Sequence, residues 1–286
     1  MPELKPPPPD QVESDVRRAL AEDFGSGDVT ADLIDPDAHA HARIVCREEA
    51  VIAGIPWAQA CFRALDPDVR IEWACGDGDR LAADAVLCGI EGKARALVGA
   101  ERCSLNFLQT LSATATVTRA YADAVAGTRA TILDTRKTLP GLRIAQKYAV
   151  RCGGGQNHRL DLSDGILVKN NHIELAGGIT RALDNLHQNR RGTQPIEVEV
   201  RSLKELEEAL QHGAEAILLD NMPVEDVRKA VERCAKFERR IPLEASGGIN
   251  LQNVRSYAET GVDYISVGAL THSPTAVDMS LRISPA

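Results

Sequence analysis

The stretch IEVEVRSLKELEEALQHGAEAILLDNM, residues 196–222, decides the fold class of this chain. It opens with an apolar run that alternates with glutamate, and it closes with a second apolar run followed by Asp220 and Asn221. Between the two runs, Ser202 and Glu205 have the spacing of a capping box, which predicts a helix start, and Gly213 predicts the helix end. A strand, a helix and a second strand in so short a stretch predict a βαβ unit of a parallel sheet.

The same alternation of strands and helices continues on both sides of this unit. Further short apolar runs lie at residues 130–133, 165–168, 241–243 and 264–267. Charged or glycine-rich residues follow almost every run, at positions 134–137, 169–170, 199, 220–221, 244–248 and 268. A doubly wound sheet concentrates such groups at one switch point, whereas a (β/α) barrel carries them around a shared rim. The pattern therefore favours the barrel.

The first part of the chain has a different pattern. A helix is predicted after the proline run at residues 6–9, with Asp10 as its cap and Glu13 completing a capping box. Strand-like runs and one helix follow, at residues 42–45, 56–65 (the helix), 69–73, 85–90 and 94–98, and a long helix is predicted from about 100 to 126. This part is expected to be an α+β module of its own.

Composition and charge narrow the class of protein. Hydrophobic residues make up 44% and charged residues 26% of the 286 residues, as in ordinary globular proteins. No apolar run approaches the roughly 18 residues that cross a bilayer, and no signal-peptide pattern is seen at the N-terminus. Seven scattered cysteines disfavour a disulfide framework and favour the cytoplasm. The net charge of −8 argues against nucleic acid as a partner.

A set of cationic residues lies at the predicted ends of consecutive strands. Its members are Arg136, Lys137, His158, Arg159 and Lys169, with Arg102 on the long helix. Arginine matches a carboxylate with two parallel hydrogen bonds, and lysine adds a compact charge. Together, in an acidic chain, they predict a small ligand with more than one carboxylate. For any single member, a surface salt bridge is the alternative.

Two carboxylates and two glycine-rich turns complete the predicted rim. Glu199 and Asp220 end adjacent strands, where they could hold Mg²⁺, directly or indirectly, or stabilise positive charge on a sugar; the alternative is that they pair with the cations. The turns at residues 246–248 and at Gly268 predict a phosphate site, supported by a following helix N-terminus, unless they are plain turns. The glycines at 153–155 are interpreted as a flexible turn, and Asp28 as a local cap.

These stretches closely resemble the quinolinate phosphoribosyltransferase family, also called nicotinate-nucleotide pyrophosphorylase (carboxylating). The most specific strings are TRKTLPG at residues 135–141 and CGGGQNHR at 152–159. Further similar segments are 22–30, 101–116, 196–199, 219–222, 244–249 and 266–271, so the resemblance covers most of the chain. Ala113 and Asp161 stand where the family is expected to have glycine, and neither replaces a contact residue.

The resemblance implies an α/β fold with two domains. An α+β open sandwich over residues 1–112 is expected to precede an incomplete (β/α) barrel of fewer than eight strands over residues 113–286. The extreme C-terminus is expected to be able to pack back on the first domain. The resemblance also implies a homodimer with shared active sites, in which Arg102 reaches into the partner's site.

The resemblance further implies roles for single residues. Catalytic roles fall to Lys137, Lys169, Glu199 and Asp220, of which Glu199 and Asp220 lie near the ribose and the metal. Binding of the quinolinate carboxylates falls to Arg136, Arg159 and Lys169, with Thr135, Lys137 and His158 beside them. The 5-phosphate site falls to Ser246, Gly247, Gly248 and Gly268.

The implied reaction converts quinolinate and phosphoribosyl pyrophosphate to nicotinate mononucleotide, pyrophosphate and carbon dioxide, with Mg²⁺ as cofactor, in NAD biosynthesis. Neither a nucleic acid nor a membrane is expected as a partner. The nearest alternative is a related phosphoribosyltransferase that acts on nicotinate or another anionic aromatic base. More distant alternatives are a lyase or aldolase with Lys169 as a Schiff-base nucleophile, and a protein that only stores an anion.

Overall fold

The computed structural model describes residues 4, 6–190, 192–237 and 239–286. Its α-helices are α1 (Pro9–Phe24), α2 (Ile55–Leu65), α3 (Ala94–Ala124), α4 (Arg143–Cys152), α5 (Asn170–Ala176), α6 (Ile179–Asn189), α7 (Leu203–Gln211), α8 (Val224–Cys234), α9 (Val254–Ala258) and α10 (Ala269–His272). Its strands are β1 (His39–Cys46), β2 (Ala50–Val51), β3 (Arg70–Trp73), β4 (Arg80–Leu81), β5 (Val86–Lys93), β6 (Thr131–Leu133), β7 (Ile166–Val168), β8 (Ile196–Val200), β9 (Ala216–Asp220), β10 (Leu243–Ser246), β11 (Tyr264–Ser266) and β12 (Met279–Pro285). None of these helices combines the length and the apolarity that crossing a bilayer requires.

The chain forms two compact units. The first contains Met1–Arg119, Thr138–Gly154 and Leu270–Ala286, and the second contains Ala120–Lys137 and Gly155–Ala269. In the first unit, an antiparallel sheet of four strands has the order β12-β1-β5-β3. The C-terminal strand pairs with β1 from Ala40↔Pro285 to Cys46↔Met279. The end of the chain is therefore part of the sheet in the first unit.

Two expectations for the first unit are wrong. The run at 94–98 is the start of α3, because Ala94, Leu97 and Ala100 are buried at the three-residue spacing of a helix face. Asp10 is not the cap of α1, which begins at Pro9 and has no side-chain cap. Proline suits the first position of a helix, since its fixed φ angle matches the helix. The N–H group that proline lacks would have no acceptor within the helix at this position.

Gly153 and Gly154 lie in the expected turn at the end of α4, and Gly153 is also a close-packing residue. A Cβ atom at this position would lie 2.4 Å from the carbonyl oxygen of Ala115 and 2.5 Å from Cβ of Thr118. Ala115 and Thr118 lie on α3, and Arg119 on this helix donates from Nε to the Gly153 carbonyl at 3.0 Å. Only glycine lets the end of α4 approach α3 this closely.

The second unit confirms the incomplete barrel. Its six parallel strands have the order β6-β11-β10-β9-β8-β7, so the first strand pairs with the last. In a doubly wound sheet the first strand would instead lie inside the sheet. No ladder joins β6 to β7 in the described residues, and a single parallel bridge, Leu133↔Gln156, lies at the open side.

The helices of the second unit begin near the expected residues. Ser202 caps α7 and accepts a hydrogen bond from Glu205 N at 3.2 Å, which confirms that signal. Pro223 is the N-cap of α8 and lies one residue before its first turn. The next helix, α9, begins at Val254, with Asn253 as its N-cap.

Candidate active site

Sheet register places the predicted strand-end groups on one face of the second unit. Partners in a parallel ladder point to the same side, and side chains alternate along each strand. The pairs Glu199↔Leu218 and Leu218↔Glu244 therefore put Glu199 and Glu244 in one row. The pair Ser246↔Asp220 puts these two residues in the next row towards the carboxyl ends of the strands.

The opposite face of the same strands is apolar. Val198, Val200, Ile217, Leu219 and Ala245 alternate with the polar residues and are at most 1% exposed. Burial of this face against the surrounding helices holds the strands, because removing apolar surface from water is the main favourable contribution to folding. The polar face is left to carry functional groups.

The cations at the end of β6 and in the following loop lie close to one another. Arg136 and Arg159 are both half-buried. Burial first, and then the nearby charge of Arg136, lower the pKa of Arg159. Arg159 also donates from Nη1 to the Gly165 carbonyl at 2.9 Å. A guanidinium group whose charge is disfavoured by burial and by a second guanidinium is a site that an anion with two carboxylates would stabilise.

Local hydrogen bonds shape the cationic loop. The Thr135 hydroxyl oxygen accepts a hydrogen bond from Lys137 N at 3.0 Å, and the Lys137 side chain is exposed. Asp161, at a position where the family is expected to have glycine, accepts hydrogen bonds from Ser163 N at 2.7 Å and from Asp164 N at 3.1 Å. The aspartate thus closes the turn that precedes β7 by side-chain bonding.

Lys169 and Glu199 end neighbouring strands. Lys169 is the exposed N-cap of α5, and the next amide, Asn170 N, donates to Glu199 Oε1 at 3.3 Å. On the far side of Glu199, Asp220 accepts from Asn221 Nδ2 at 3.0 Å and lies 3.6 Å from Arg201 Nε. The carboxylates thus occupy the ends of β8 and β9, next to the lysine that follows β7.

The predicted glycine turn at residues 246–248 is present after β10, but no helix begins directly after it. Gly247 and Gly248 have φ angles of 91° and 63°, which glycine adopts without strain. No helix follows directly, because residues 250–253 form a turn before the five-residue α9. The expected contribution of a helix N-terminus is therefore wrong for this turn. Gly268 immediately precedes α10.

His158 lies between two carboxylates on the polar face. Its Nε2 atom is 3.2 Å from Glu197 Oε2 and 3.4 Å from Glu244 Oε2. Burial alone would lower the pKa of His158, but the nearby carboxylates of Glu197 and then of Glu244 outweigh it and raise that pKa. Burial raises the pKa of Glu244, which His158 partly offsets. The three groups form one buried charge cluster.

Comparison with known proteins identifies the family to which this arrangement belongs. The models for the quinolinate phosphoribosyl transferase N-terminal and C-terminal domains match residues 28–112 and 114–282. The chain belongs to the quinolinate phosphoribosyl transferase family. This finding confirms the resemblance seen in the strings TRKTLPG and CGGGQNHR.

Relatives and solved structures of this family match nearly the whole chain. A probable nicotinate-nucleotide pyrophosphorylase (carboxylating) of Synechocystis sp. is 42% identical over 265 residues, covering 92% of this chain and 90% of that protein. Quinolinate phosphoribosyltransferase (decarboxylating) 1b of Nicotiana tabacum is 40% identical, covering 98% of this chain and 85% of that protein. The nicotinate-nucleotide pyrophosphorylase structure from Francisella tularensis has a TM-score of 0.93 at 40% identity, covering 99% of this chain and 100% of that one.

Three acidic residues to which the sequence patterns had given no role surround His158 in this member of the quinolinate phosphoribosyl transferase family. They are Asp134, Glu197 and Glu244. Glu197 had a readable signal, since it stands two residues before Glu199 on a strand and must point to the same side. Asp134 and Glu244 stood among the polar residues that follow the predicted strands, but the patterns gave them no role. Asp134 is fully buried, and its Oδ1 accepts from His158 N at 3.0 Å.

Proposed function

We propose that this protein transfers the phosphoribosyl group of phosphoribosyl pyrophosphate to the ring nitrogen of quinolinate and releases carbon dioxide, which yields nicotinate mononucleotide and pyrophosphate. One observation carries the proposal. A single polar face of the incomplete barrel brings carboxylates, a glycine turn and flanking cations to the carboxyl ends of its strands. Family membership supports this substrate pair. The product belongs to the route to NAD.

The cationic residues bind the acceptor in this proposal. Arg136 and Arg159, whose charges already disfavour each other, each hold a carboxylate of quinolinate. Lys169, at the end of the neighbouring strand, adds the third positive charge. Thr135, Lys137 and His158 line the same loops. The ring nitrogen is thereby held for attack on the ribose carbon, and positioning of this kind accounts for much of the rate of a two-substrate reaction.

The carboxylates act on the sugar. As pyrophosphate leaves, the ribose C1 carbon becomes positively charged, and Glu199 and Asp220 stabilise that charge from the ends of β8 and β9. The turn at residues 246–248, with Gly268, holds the 5-phosphate through main-chain N–H groups. The electron pair of the ring nitrogen forms the new bond to C1, and the bond from C1 to the pyrophosphate oxygen breaks.

Loss of carbon dioxide follows from the new charge on the ring. Once the nitrogen is alkylated it is positive, and it stabilises the electron pair that remains on C2 when the bond to the carboxyl carbon breaks. A proton then adds to C2, which balances the reaction. No covalent bond between enzyme and substrate is needed. Lys169 is exposed, whereas a Schiff-base lysine is typically desolvated or beside another cation.

Mg²⁺ is part of the proposal, and the donor set fits it. Glu199 and Asp220 offer the hard carboxylate oxygens that Mg²⁺ prefers, and two such ligands leave room for water and substrate phosphates. When bound, the ion would neutralise negative charge on the departing pyrophosphate. Asp220 also lies 3.6 Å from Arg201 Nε, which holds its carboxylate in place.

We further propose a homodimer with shared active sites, in a cytoplasmic setting. Arg102 is exposed on α3 in the first unit, within a segment that resembles the family, and its proposed role is to reach into the pocket of the partner subunit. The cytoplasmic proposal is supported by the seven cysteines, all of which are free.

One assay tests the proposed function. The purified protein is incubated with phosphoribosyl pyrophosphate, Mg²⁺ and quinolinate carrying ¹⁴C in its 2-carboxyl group, and labelled carbon dioxide and nicotinate mononucleotide are measured. Equal molar release of the two products is expected. A parallel reaction with nicotinate in place of quinolinate should form little product, because one carboxylate leaves a guanidinium without its partner. Faster turnover of nicotinate would support the alternative phosphoribosyltransferase.

A further inference from the structure

The His158 ring connects three strands of the incomplete barrel that are far apart in the chain. At one end, its main chain is held at the end of β6, where His158 N donates to the buried Asp134 carboxylate at 3.0 Å. At the other end, Nε2 contacts Glu197 on β8 and Glu244 on β10. These two strands flank β9. The ring therefore extends across the polar face of the sheet.

The segment before His158 is held in the same way. Gln156 N donates to the Ile132 carbonyl at 2.9 Å, and Asp134 N donates to the Gln156 carbonyl at 3.1 Å. This bonding continues the edge of β6 where no strand pairs with it. The segment has no strand partner on its other side in the described ranges, so the His158 contacts with Glu197 and Glu244 tie it to the body of the sheet.

The next residue along the chain depends on this ring. Arg159 N lies 2.7 Å from His158 Nδ1 and donates to it, and the Arg159 guanidinium donates to the Gly165 carbonyl at 2.9 Å. The first contact fixes the Arg159 main chain against the imidazole. A ring that rotated away from the carboxylates would release this contact and free the main chain from which the Arg159 side chain extends.

Stability alone does not explain two carboxylates on one imidazole. The side chains of Glu197 and Glu244 are only 16% and 3% exposed, and one histidine cannot neutralise both. The charge of Glu197 raises the pKa of Glu244, so the two groups disfavour each other. Buried ion pairs are often no more stabilising than apolar side chains of the same size. Two carboxylates at 3.2 Å and 3.4 Å from Nε2 do, however, hold this end of the ring towards β8 and β10.

We propose that Glu197 and Glu244 are positioning residues, which hold the His158 ring and through it set Arg159 for the acceptor carboxylate. The inference rests on the proposed function, because it assigns Arg159 to quinolinate. It predicts that the two glutamates affect the acceptor and not the phosphoribosyl donor. Neither glutamate needs to touch either substrate.

The first test separates the two substrates. Glu197→Gln and Glu244→Gln keep the size of the side chain and remove its charge. Each is expected to raise the KM for quinolinate about 10-fold or more, while the KM for phosphoribosyl pyrophosphate changes less than about twofold. A general loss of folded structure would not discriminate between the substrates. Equal changes in both KM values, in a folded variant, would overturn the proposal.

The second test is a double-mutant cycle with His158→Ala. If Glu244 acts through His158, then adding Glu244→Gln to His158→Ala should change quinolinate affinity by less than about twofold. Calorimetric titration of quinolinate measures this affinity without turnover. Full additivity of the two substitutions would show that Glu244 acts independently of the ring, and it would overturn the proposal.

A matched control and a fallback keep the result interpretable. Glu215→Gln removes another carboxylate of the second unit, which pairs with Arg190 at 3.0 Å and accepts from Ile196 N at 2.9 Å at the opposite end of β8. It should leave the KM for quinolinate unchanged.

If the Glu244→Gln variant does not fold, the Glu197→Gln variant alone tests the proposal. Wild-type protein without nicotinate mononucleotide formation would refute the proposed function itself, whereas active wild type with unaffected glutamate variants would refute only this inference.

Discussion

The side chain of Asn221 fills the space beside the α-carbon of Gly247, so that a Cβ atom at position 247 would lie 2.4 Å from Asn221 Oδ1. Asn221 itself has a φ of 53°, and its main-chain N–H donates to the Ser246 carbonyl at 2.8 Å. The loops that follow β9 and β10 thus hold each other in place. The conformation of the proposed phosphate turn depends on a contact between these two strand ends.

We expect Gly247→Ala to weaken binding of phosphoribosyl pyrophosphate. The added methyl group collides with Asn221, and the φ of 91° is strained for any residue with a side chain. The KM for phosphoribosyl pyrophosphate should rise roughly 10-fold or more, at a cost of 1–3 kcal/mol. Steady-state kinetics with each substrate varied in turn measures the change.

Two further variants show whether the collision is the cause. Gly127→Ala has a similar positive φ of 79° with nothing within 4 Å of the new Cβ atom, so it should lower stability without changing either KM. Asn221→Gly, combined with Gly247→Ala, removes the side-chain amide that collides with the added methyl group. It should restore part of the affinity for phosphoribosyl pyrophosphate. No restoration in the double variant would assign the effect to backbone strain alone.

Arg136→Ala and Lys169→Ala should fold normally and lose turnover of quinolinate. Each removes a cation that is proposed to pair with a substrate carboxylate, so kcat/KM should fall by roughly 10²-fold or more. Arg228→Ala is the control, because this arginine lies on α8 and, among the residues that the structure describes, its side chain pairs only with Glu225, at 4.0 Å. Near-normal kinetics for either site variant would contradict the assignment of the acceptor pocket.

Mixed dimers should reveal shared active sites. Arg102→Ala and Lys169→Ala subunits are each expected to be inactive as homodimers. If Arg102 completes the partner's pocket, a heterodimer of the two contains one intact site and regains part of the activity. Differently tagged subunits, purified in two affinity steps, allow the assay. Mixed dimers that form but stay inactive would count against sharing.

Asp263 should make the stability of the second unit depend on pH. Burial alone would raise the pKa of Asp263, but hydrogen bonds from Leu243 N at 3.0 Å and Arg240 at 2.6 Å, together with Arg129, outweigh it and lower that pKa. Because the folded pKa lies below the unfolded one, of about 3.9, the carboxylate stabilises the fold above that value. This contribution is lost as the pH falls through the folded pKa.

Asp263→Asn should therefore lower the free energy of unfolding at neutral pH by about 1–3 kcal/mol, and the difference from wild type should shrink at acid pH. Urea unfolding at a series of pH values measures both quantities. Glu259→Gln, which breaks only the exposed pair with Arg255, should change stability by less than about 1 kcal/mol. A difference that stays constant down to acid pH would exclude titration of Asp263 as its source.

Local signals along the chain predicted much of the barrel unit. The alternation at residues 196–200 predicted β8, and the Ser202 cap with Glu205 predicted α7. Both depend on contacts within a few residues, which the order of amino acids specifies. The short apolar run at residues 94–98 predicted a strand, but burial against the first unit's core made it the start of a helix.

The sequence by itself determined the strands of the second unit, the cap of α7 and which side chains stand at strand ends, since a period of two or of 3.6 residues follows from the backbone alone. Only the tertiary structure decided that β6 pairs with β11, that Gly153 packs on Ala115, and that His158 lies between Glu197 and Glu244. Each of these relationships joins residues far apart in the chain. Such contacts form only when the whole sheet is assembled, so no local pattern records them.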